Sequence, residues 1–270
     1  EGSETCRVTD YGLGTSLVLV PGVMLLRLVE ACGLDAGPAY TPVRALLVHL
    51  MPALVGGLSW LCLFVLSARL GGSRRRAFWL TLAAGLTTTL WFYHRTVLSE
   101  AVQTLGLLAC VTGLHAYRTR GGRLAKAAAA AAAFGLAVTA KGTLWAVAPA
   151  LVVYLGWERW RTSVRPIVVF GAVLAPFVLL QLWFNHFRFS DIFDFGYHTF
   201  RDGELGFSHP LGFAVWGYLF SPSKSFFLYN PLAILALWGW RRFWRHSRAE
   251  AALFACLAAT VVFVFGRWWS

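Results

Sequence analysis

Charged residues are scarce in this sequence. They make up 13% of its 270 residues, whereas a soluble domain has roughly 25%. Hydrophobic residues account for 58%, and the mean hydropathy is +0.61. This composition excludes a soluble protein and predicts one that lies within a membrane.

Several motifs are also absent, and each absence excludes a class of site. The sequence contains no P-loop, no zinc-binding motif and no Ser/His/Asp arrangement typical of a hydrolase. Its five cysteines show no paired or metal-type spacing, although a Cys6–Cys32 disulfide stays open as an alternative. We therefore expect neither a divalent metal nor a separate cofactor.

Acidic residues are half as numerous as basic ones, 12 against 24, and the formal net charge is +12. In a soluble protein such an excess would suggest a nucleic-acid partner. Here 15 of the 24 basic residues fall in four clusters. The clusters are Arg69/Arg74/Arg75/Arg76, Arg118/Arg120/Arg123/Lys126, Arg159/Arg161/Arg165 and Arg241/Arg242/Arg245/Arg248. Because short loops rich in Lys and Arg stay on the cytoplasmic side, each cluster indicates an inner loop, and no nucleic acid is expected.

The carboxylates are distributed in the opposite way, since only Glu158 and Glu250 lie at the inner loops. The remaining acidic residues all fall on the other side: Glu1, Glu4, Asp10, Glu30, Asp35, Glu100, Asp191, Asp194, Asp202 and Glu204. Each stretch between two clusters is long enough to cross a bilayer and return. The sequence therefore predicts an all-α fold, a polytopic transmembrane helical bundle with its carboxylates on the outer face.

A membrane span needs about 20 apolar residues. We predict eight spans whose orientations alternate in agreement with the basic loops: 45–68, 77–92, 98–117, 125–140, 143–157, 166–184, 224–240 and 250–267. The alanine run 127–133 is expected to let helices approach closely within the membrane.

The predicted organisation is a single domain over residues 1–270, truncated at both ends because the chain begins without Met and ends as a span emerges. Residues 1–44 form an outer segment, 45–184 six spans, 185–223 an outer loop and 224–270 two spans. Segment 14–33 within the first part is apolar but carries Pro21, Arg27 and Glu30. We expect it to be an interfacial or partly inserted helix on the outer face.

Lys141 is the first candidate for a functional residue. The hairpin formed by 125–140 and 143–157 has only about 33 residues, whereas two full crossings need roughly 40. The turn at Lys141 is therefore expected below the outer interface, inside the protein. An ammonium at that depth needs a polar cavity or an anion, and a lipid-linked phosphate is the natural one. The alternative is that the side chain snorkels to the interface.

The turn between the second and third spans is the second candidate. It contains His94, Arg95, Ser99 and Glu100, and it lies at the outer membrane edge. The alternative is ordinary interfacial and helix-start chemistry, with Ser99 as N-cap and Glu100 near the positive end of the helix.

Two further regions lie on the same face. Lys224 opens a span that is broken again at Asn230-Pro231, and irregular backbone at membrane depth is tolerated where it lines a cavity. A simple entry from loop to helix is the alternative there. The outer loop 185–223 is rich in polar residues, including Tyr197, and it is either functional or merely solvated.

The order of several short motifs resembles a known family. These are Tyr11-Gly12-Leu13-Gly14-Thr15-Ser16-Leu17 through Pro21, Ser99-Glu100, Ala140-Lys141-Gly142, Asn185 to Tyr197, Phe220-Ser221-Pro222 through Tyr229-Asn230-Pro231, and Arg267-Trp268-Trp269-Ser270. The chain resembles, over nearly its whole length, bacterial membrane glycosyltransferases of the GT-C fold. Its nearest resemblance is to the family related to dolichyl-phosphate-mannose protein mannosyltransferases and lipid A aminoarabinose transferases.

The resemblance implies an integral enzyme of a bacterial plasma membrane whose site faces the periplasm. Such an enzyme transfers a sugar, with inversion, from a polyprenyl-phosphate donor to an acceptor hydroxyl that a carboxylate deprotonates. It implies basic residues near the lipid phosphate, where Arg95 and Lys141 fall. The full set of candidate substrate-binding residues is His94, Arg95, Lys141, Tyr197, Lys224 and Tyr229.

The catalytic base is less well defined. In the family it is an aspartate in the first outer loop, which we expect to lie upstream of Glu1. Glu100 and, with less support, Asp10 are the candidates within this sequence. Ser223 and Ser225 depart from the family, which often has glycine there. A transporter or flippase of lipid-linked sugars is the alternative function, although no second half of the chain mirrors the first.

Overall fold

The computed structural model describes residues 12–33, 40–71, 73–96, 98–157, 163–195, 210–222 and 225–266. This part of the chain is helical and contains no strand, which confirms the all-α prediction. The helices are α1 (Leu13–Ala31), α2 (Tyr40–Gly71), α3 (Arg74–Thr87), α4 (Leu90–Tyr93), α5 (Ser99–Thr119), α6 (Leu124–Ala140), a 3₁₀ helix (Gly142–Val147), α7 (Ala148–Gly156), α8 (Val164–Phe189), α9 (Leu211–Phe220), α10 (Phe226–Tyr229), α11 (Leu232–His246) and α12 (Arg248–Gly266).

Three helices in the described ranges are long and apolar enough to cross a membrane: Leu13–Ala31, Arg44–Gly71 and Val164–Phe189. The prediction of about eight spans is not confirmed. The other predicted spans are shorter, interrupted or less apolar. In particular, 77–92 is not one helix, because α3 ends at Thr87 and Thr88 has extended backbone before α4.

The interruption after α3 has a visible physical cause. The hydroxyls of Thr87 and Thr88 donate to the carbonyls of Ala83 and Ala84, a pattern that bends helices. Asn230 Oδ1 then accepts hydrogen bonds from both the backbone N–H and the hydroxyl of Thr89, at 3.2 Å each. The break within the predicted span 224–240 is likewise present, because α10 and α11 are separated at Asn230 and Pro231.

Helix α1 runs antiparallel to α2 and also packs against α5 and α6. Its N-terminal end lies against the end of α6, where a Cβ on Gly12 would collide with the carbonyls of Thr139 and Ala140. Its middle lies against the first part of α2, where Gly22 approaches the Leu47 carbonyl. Segment 14–33 is therefore a continuous helix whose length and hydropathy also suit a full crossing.

The crossing of α1 over α6 depends on glycine. A Cβ on Gly14 would lie 2.6 Å from the backbone nitrogen of Ala140 and 2.6 Å from Thr139 Oγ1. Because the backbone cannot yield cheaply, we predict that Gly14→Ala lowers the free energy of unfolding by about 1–3 kcal/mol. Gly57→Ala is the matched control, since a Cβ there meets nothing within 4 Å and alanine favours the helix. Thermal unfolding in detergent measures both variants; equal stability of the two would contradict the predicted close approach.

The hydrophobic core lies between α5, α6, α7 and α8. Its largest fully buried side chains include Leu114, Phe134, Leu151, Tyr154 and Phe170. Alanines of α6 face glycines of α5, where added Cβ atoms would crowd the partner helix. The small residues of α6 thus permit the close helix contact that the alanine run predicted.

Helix α12 is tied to this core by a polar cluster. The Tyr154 hydroxyl donates to Glu250 Oε1 at 2.9 Å, and His115 Nδ1 lies 3.2 Å from the same oxygen. The Arg118 guanidinium lies over the Tyr154 ring, 4.5 Å from its centroid, and donates to the Tyr154 carbonyl. This cluster lies at the end of α5 that is next to a basic loop, away from the cavity described below.

Large apolar side chains cover much of the helix surfaces that face away from the core. Trp238 is 86% exposed, Phe187 72% and Leu28 61%. Apolar surface on this scale is avoided in water but is suited to contact with acyl chains. It agrees with the presence of membrane-spanning helices.

Candidate functional site

A cavity of about 490 Å³ opens at the end of the bundle where α5 begins and where α6 and α8 end. Its polar lining comes from Tyr93, Ser99, Glu100, Lys141, Gln181 and Arg188. Its polar groups therefore come from four helices or their ends: α4, α5, α6 and α8. Two of the residues predicted from the sequence, Glu100 and Lys141, share this cavity.

Lys141 is placed by the tight reversal after α6. Its backbone is extended, and its N–H still bonds to the Ala137 carbonyl at 3.2 Å. Gly142 then starts the 3₁₀ helix, and the ring of Phe195 occupies the space that a Cβ on Gly142 would need. The short hairpin thus holds the lysine beside the cavity.

The Lys141 ammonium has an anion within the protein. Its Nζ lies 3.2 Å from Glu100 Oε1, and the two side chains are 25% and 31% exposed. Ser99 Oγ donates to Glu100 Oε2 at 3.3 Å and accepts from Gln103 Nε2 at 3.1 Å. Both oxygens of the carboxylate are consequently engaged. Ser99 is not the N-cap of α5, because Leu98 is the N-cap residue and the Ser99 hydroxyl contacts the carboxylate instead.

The α8 wall of the cavity carries a chain of hydrogen bonds. Gln181 Nε2 donates to Asn185 Oδ1 at 2.7 Å, and Asn185 Nδ2 donates to the Ile192 carbonyl at 3.1 Å. Asn185 is fully buried, and Ser190 ends the helix in the left-handed conformation with φ of 59°. These contacts fold the segment after α8 back toward Gly142.

His94 and Arg95 are not among the residues that line this cavity. His94 is buried against Gly56, and its Nδ1 accepts a hydrogen bond from Trp60 Nε1 at 3.2 Å. Burial lowers the pKa of His94, which suits a neutral acceptor in the helix packing. Arg95 is exposed and lies over Trp91, 5.3 Å from the ring centroid.

Of the remaining candidates, Tyr229 is among the described residues. The Tyr229 hydroxyl, at the end of α10, donates to the carbonyl of Pro222, which precedes α10, at 3.3 Å. Asp10, Tyr197 and Lys224 lie outside the described residues. Their predicted roles stay predictions.

Gln181 and Arg188 were missed in the sequence because α8 was interpreted only as a span followed by a polar loop. A signal was nevertheless present. Gln181, Asn185 and Arg188 are spaced by four and three residues, which places them on one face of a helix. Polar residues in a stripe at the end of an apolar helix indicate a wall that faces a polar cavity.

The described residues that line the cavity carry more positive than negative charge. Among its described lining residues, Lys141 and Arg188 provide two cations against the single carboxylate of Glu100. Within the same described ranges, no group of three or more His, Cys, Asp or Glu is placed to hold a metal ion. Comparison of the chain with family models, curated proteins and solved structures found no match.

Proposed function

We propose that this chain is an integral membrane glycosyltransferase. It transfers a sugar from a polyprenyl-phosphate donor to an acceptor hydroxyl on the extracytoplasmic face, with inversion at the anomeric carbon. The observation that carries this proposal is the cavity in which Lys141 and Arg188 outnumber Glu100, at the end of α5 opposite the basic loops. The order of the sequence motifs supports the same function.

The chemistry requires stabilisation of a departing phosphate. When the acceptor oxygen forms its bond to the anomeric carbon, the bond to the phosphate oxygen breaks and the electron pair leaves with the lipid phosphate. Preorganised cations contribute most where such charge develops. Lys141 is held by a tight turn and a carboxylate, and Arg188 is held by aromatic rings, so both fit this role.

The reaction also requires a base for the acceptor hydroxyl. Both oxygens of Glu100 are engaged, one by Lys141 and one by Ser99. In this proposal Glu100 is accordingly a positioning residue that orients the Lys141 ammonium. The proton of the acceptor passes to another carboxylate.

The proposal is tested with membranes that contain the full-length protein. Radiolabelled polyprenyl-phosphate sugars are supplied, and we expect the label to appear in an acceptor through a new glycosidic bond of inverted configuration. Membranes that lack the protein are the control. Passage of the intact lipid-linked sugar across the bilayer without a new bond would support the flippase alternative and contradict the transferase.

The topology is a separate prediction. We expect single cysteines placed in 70–76, 118–124, 158–165 and 241–249 to be labelled from the cytoplasmic side. Cysteines in 185–223 should be labelled only from the outer side. A cysteine at position 10 and one at position 36 should both be labelled from outside if α1 does not cross the membrane. Labelling of 185–223 from the cytoplasm alone would overturn the placement of the cavity on the outer face.

A further inference from the structure

Gln181 holds a buried acceptor atom in the α8 wall of the cavity. Gln181 is 5% exposed and lines the cavity, and its Oε1 has no hydrogen-bond partner among the described residues. Leaving a buried amide oxygen without a donor costs free energy, so such groups are rare in folded proteins. A bound molecule that brings a donor would remove this cost.

The orientation of the amide is fixed by its neighbours. The Ile192 carbonyl can only accept, so Asn185 must present Nδ2 to it and Oδ1 to Gln181. Gln181 must then donate through Nε2. Its Oε1 therefore ends the chain of hydrogen bonds as an acceptor, and the ligand group that meets it must be a donor such as a hydroxyl.

Arg188 lies seven residues, or two turns, further along the same face of α8 and also lines the cavity. Its guanidinium lies over the rings of Phe184 and Phe189, 4.8 Å and 4.3 Å from their centroids. Stacking of this kind fixes the plane of a guanidinium, and a guanidinium matches the geometry of phosphate oxygens. The face of α8 thus presents a cation and a hydroxyl acceptor opposite Lys141.

We propose that Gln181 and Arg188 bind two different parts of one ligand, a glycosyl phosphate. Arg188 and Lys141 bind the phosphate group, and Gln181 Oε1 accepts a hydrogen bond from a hydroxyl of the attached sugar. This assignment rests on the proposed function, and it adds the residues that separate recognition of the sugar from recognition of the lipid phosphate. It makes Gln181 a determinant of specificity.

The test compares two kinds of probe on the full-length protein in nanodiscs. One probe is bare polyprenyl phosphate; the others carry a single hexose or pentose. Arg188→Met should weaken binding of bare and sugar-bearing probes alike, by about tenfold. Gln181→Met should weaken only the sugar-bearing probes, also by about tenfold. Arg118→Met is the matched control, because that arginine is also stacked on an aromatic ring but lies at the other end of α5.

The possible outcomes distinguish the assignment of Gln181 to a sugar hydroxyl from the proposed transfer of the sugar. A Gln181→Met variant that weakens both probes equally, or neither, would overturn the role of Gln181 while leaving transfer intact. Wild-type protein that binds both probes as expected but transfers no sugar would overturn the reaction alone. If Gln181→Met does not fold, the wild-type protein still tests the assignment. Equal wild-type affinity for bare and sugar-bearing probes would contradict a hydrogen bond from a sugar hydroxyl to Gln181 Oε1. Binding of neither probe would overturn both proposals.

Discussion

Replacing Lys141 by alanine will raise the KM or Kd for the polyprenyl-phosphate donor by about 10- to 100-fold. Lys141 and Arg188 are the two cations among the described residues that line the cavity, so the substitution removes half of that positive charge. Lys141→Arg should retain part of the affinity. The positive charge remains, but the larger planar guanidinium does not reproduce the point-like charge of the ammonium in the tight turn before Gly142.

The control for this substitution is Lys126→Ala. Lys126 donates to the carbonyls of Ala116 and Arg120 at the end of α5 that is remote from the cavity. Its loss should lower stability slightly and leave donor affinity unchanged. If Lys141→Ala bound the donor as tightly as the wild type, Lys141 would serve only as the partner of Glu100, and the phosphate site would be wrong.

Hairpin length and charge distribution in the sequence predict that Lys141 and Glu100 lie on one face of the membrane, and in the structure both residues line one cavity. The sequence could not predict that they form an ion pair, because 41 residues separate them and only the packing of α5 on α6 brings them together. The sequence argument that Lys141 needs an external anion therefore overlooked a carboxylate of the protein. Arg95, although only five residues from Glu100, stacks on Trp91 instead.

The helix boundaries also depend on both local sequence and contacts between residues far apart in the chain. The apolar run 77–92 predicted one span, whereas the structure breaks it at Thr88. Threonine hydroxyls that bond back to the preceding turn are a local signal for a bend. The hydrogen bond that Thr89 donates to Asn230, 141 residues away, cannot be inferred from any local sequence pattern.

Exchanging Glu100 for glutamine will lower kcat by about 10- to 100-fold without raising the donor Kd. The amide has nearly the same shape as the carboxylate and can still accept from Ser99, so α5 and its packing should be unaffected. The negative charge that holds Lys141 Nζ at 3.2 Å is lost, however, and the ammonium becomes free to adopt other rotamers. Removing a carboxylate from the cavity also removes its repulsion toward a donor phosphate, so donor binding should be equal or tighter.

This split between kcat and Kd distinguishes a positioning role from a purely structural one, in which lower stability would accompany both a lower kcat and a higher Kd. A double-mutant cycle with Lys141→Ala adds a second measure, since the two substitutions should be strongly non-additive if the pair acts as a unit. Glu30→Gln is the matched control, because Glu30 pairs with the largely exposed Arg27 and such pairs contribute little. If Glu100→Gln has wild-type turnover and donor affinity, Glu100 is only an acidic residue at a helix start. If the effects in the cycle are additive, Lys141 is positioned by the turn alone.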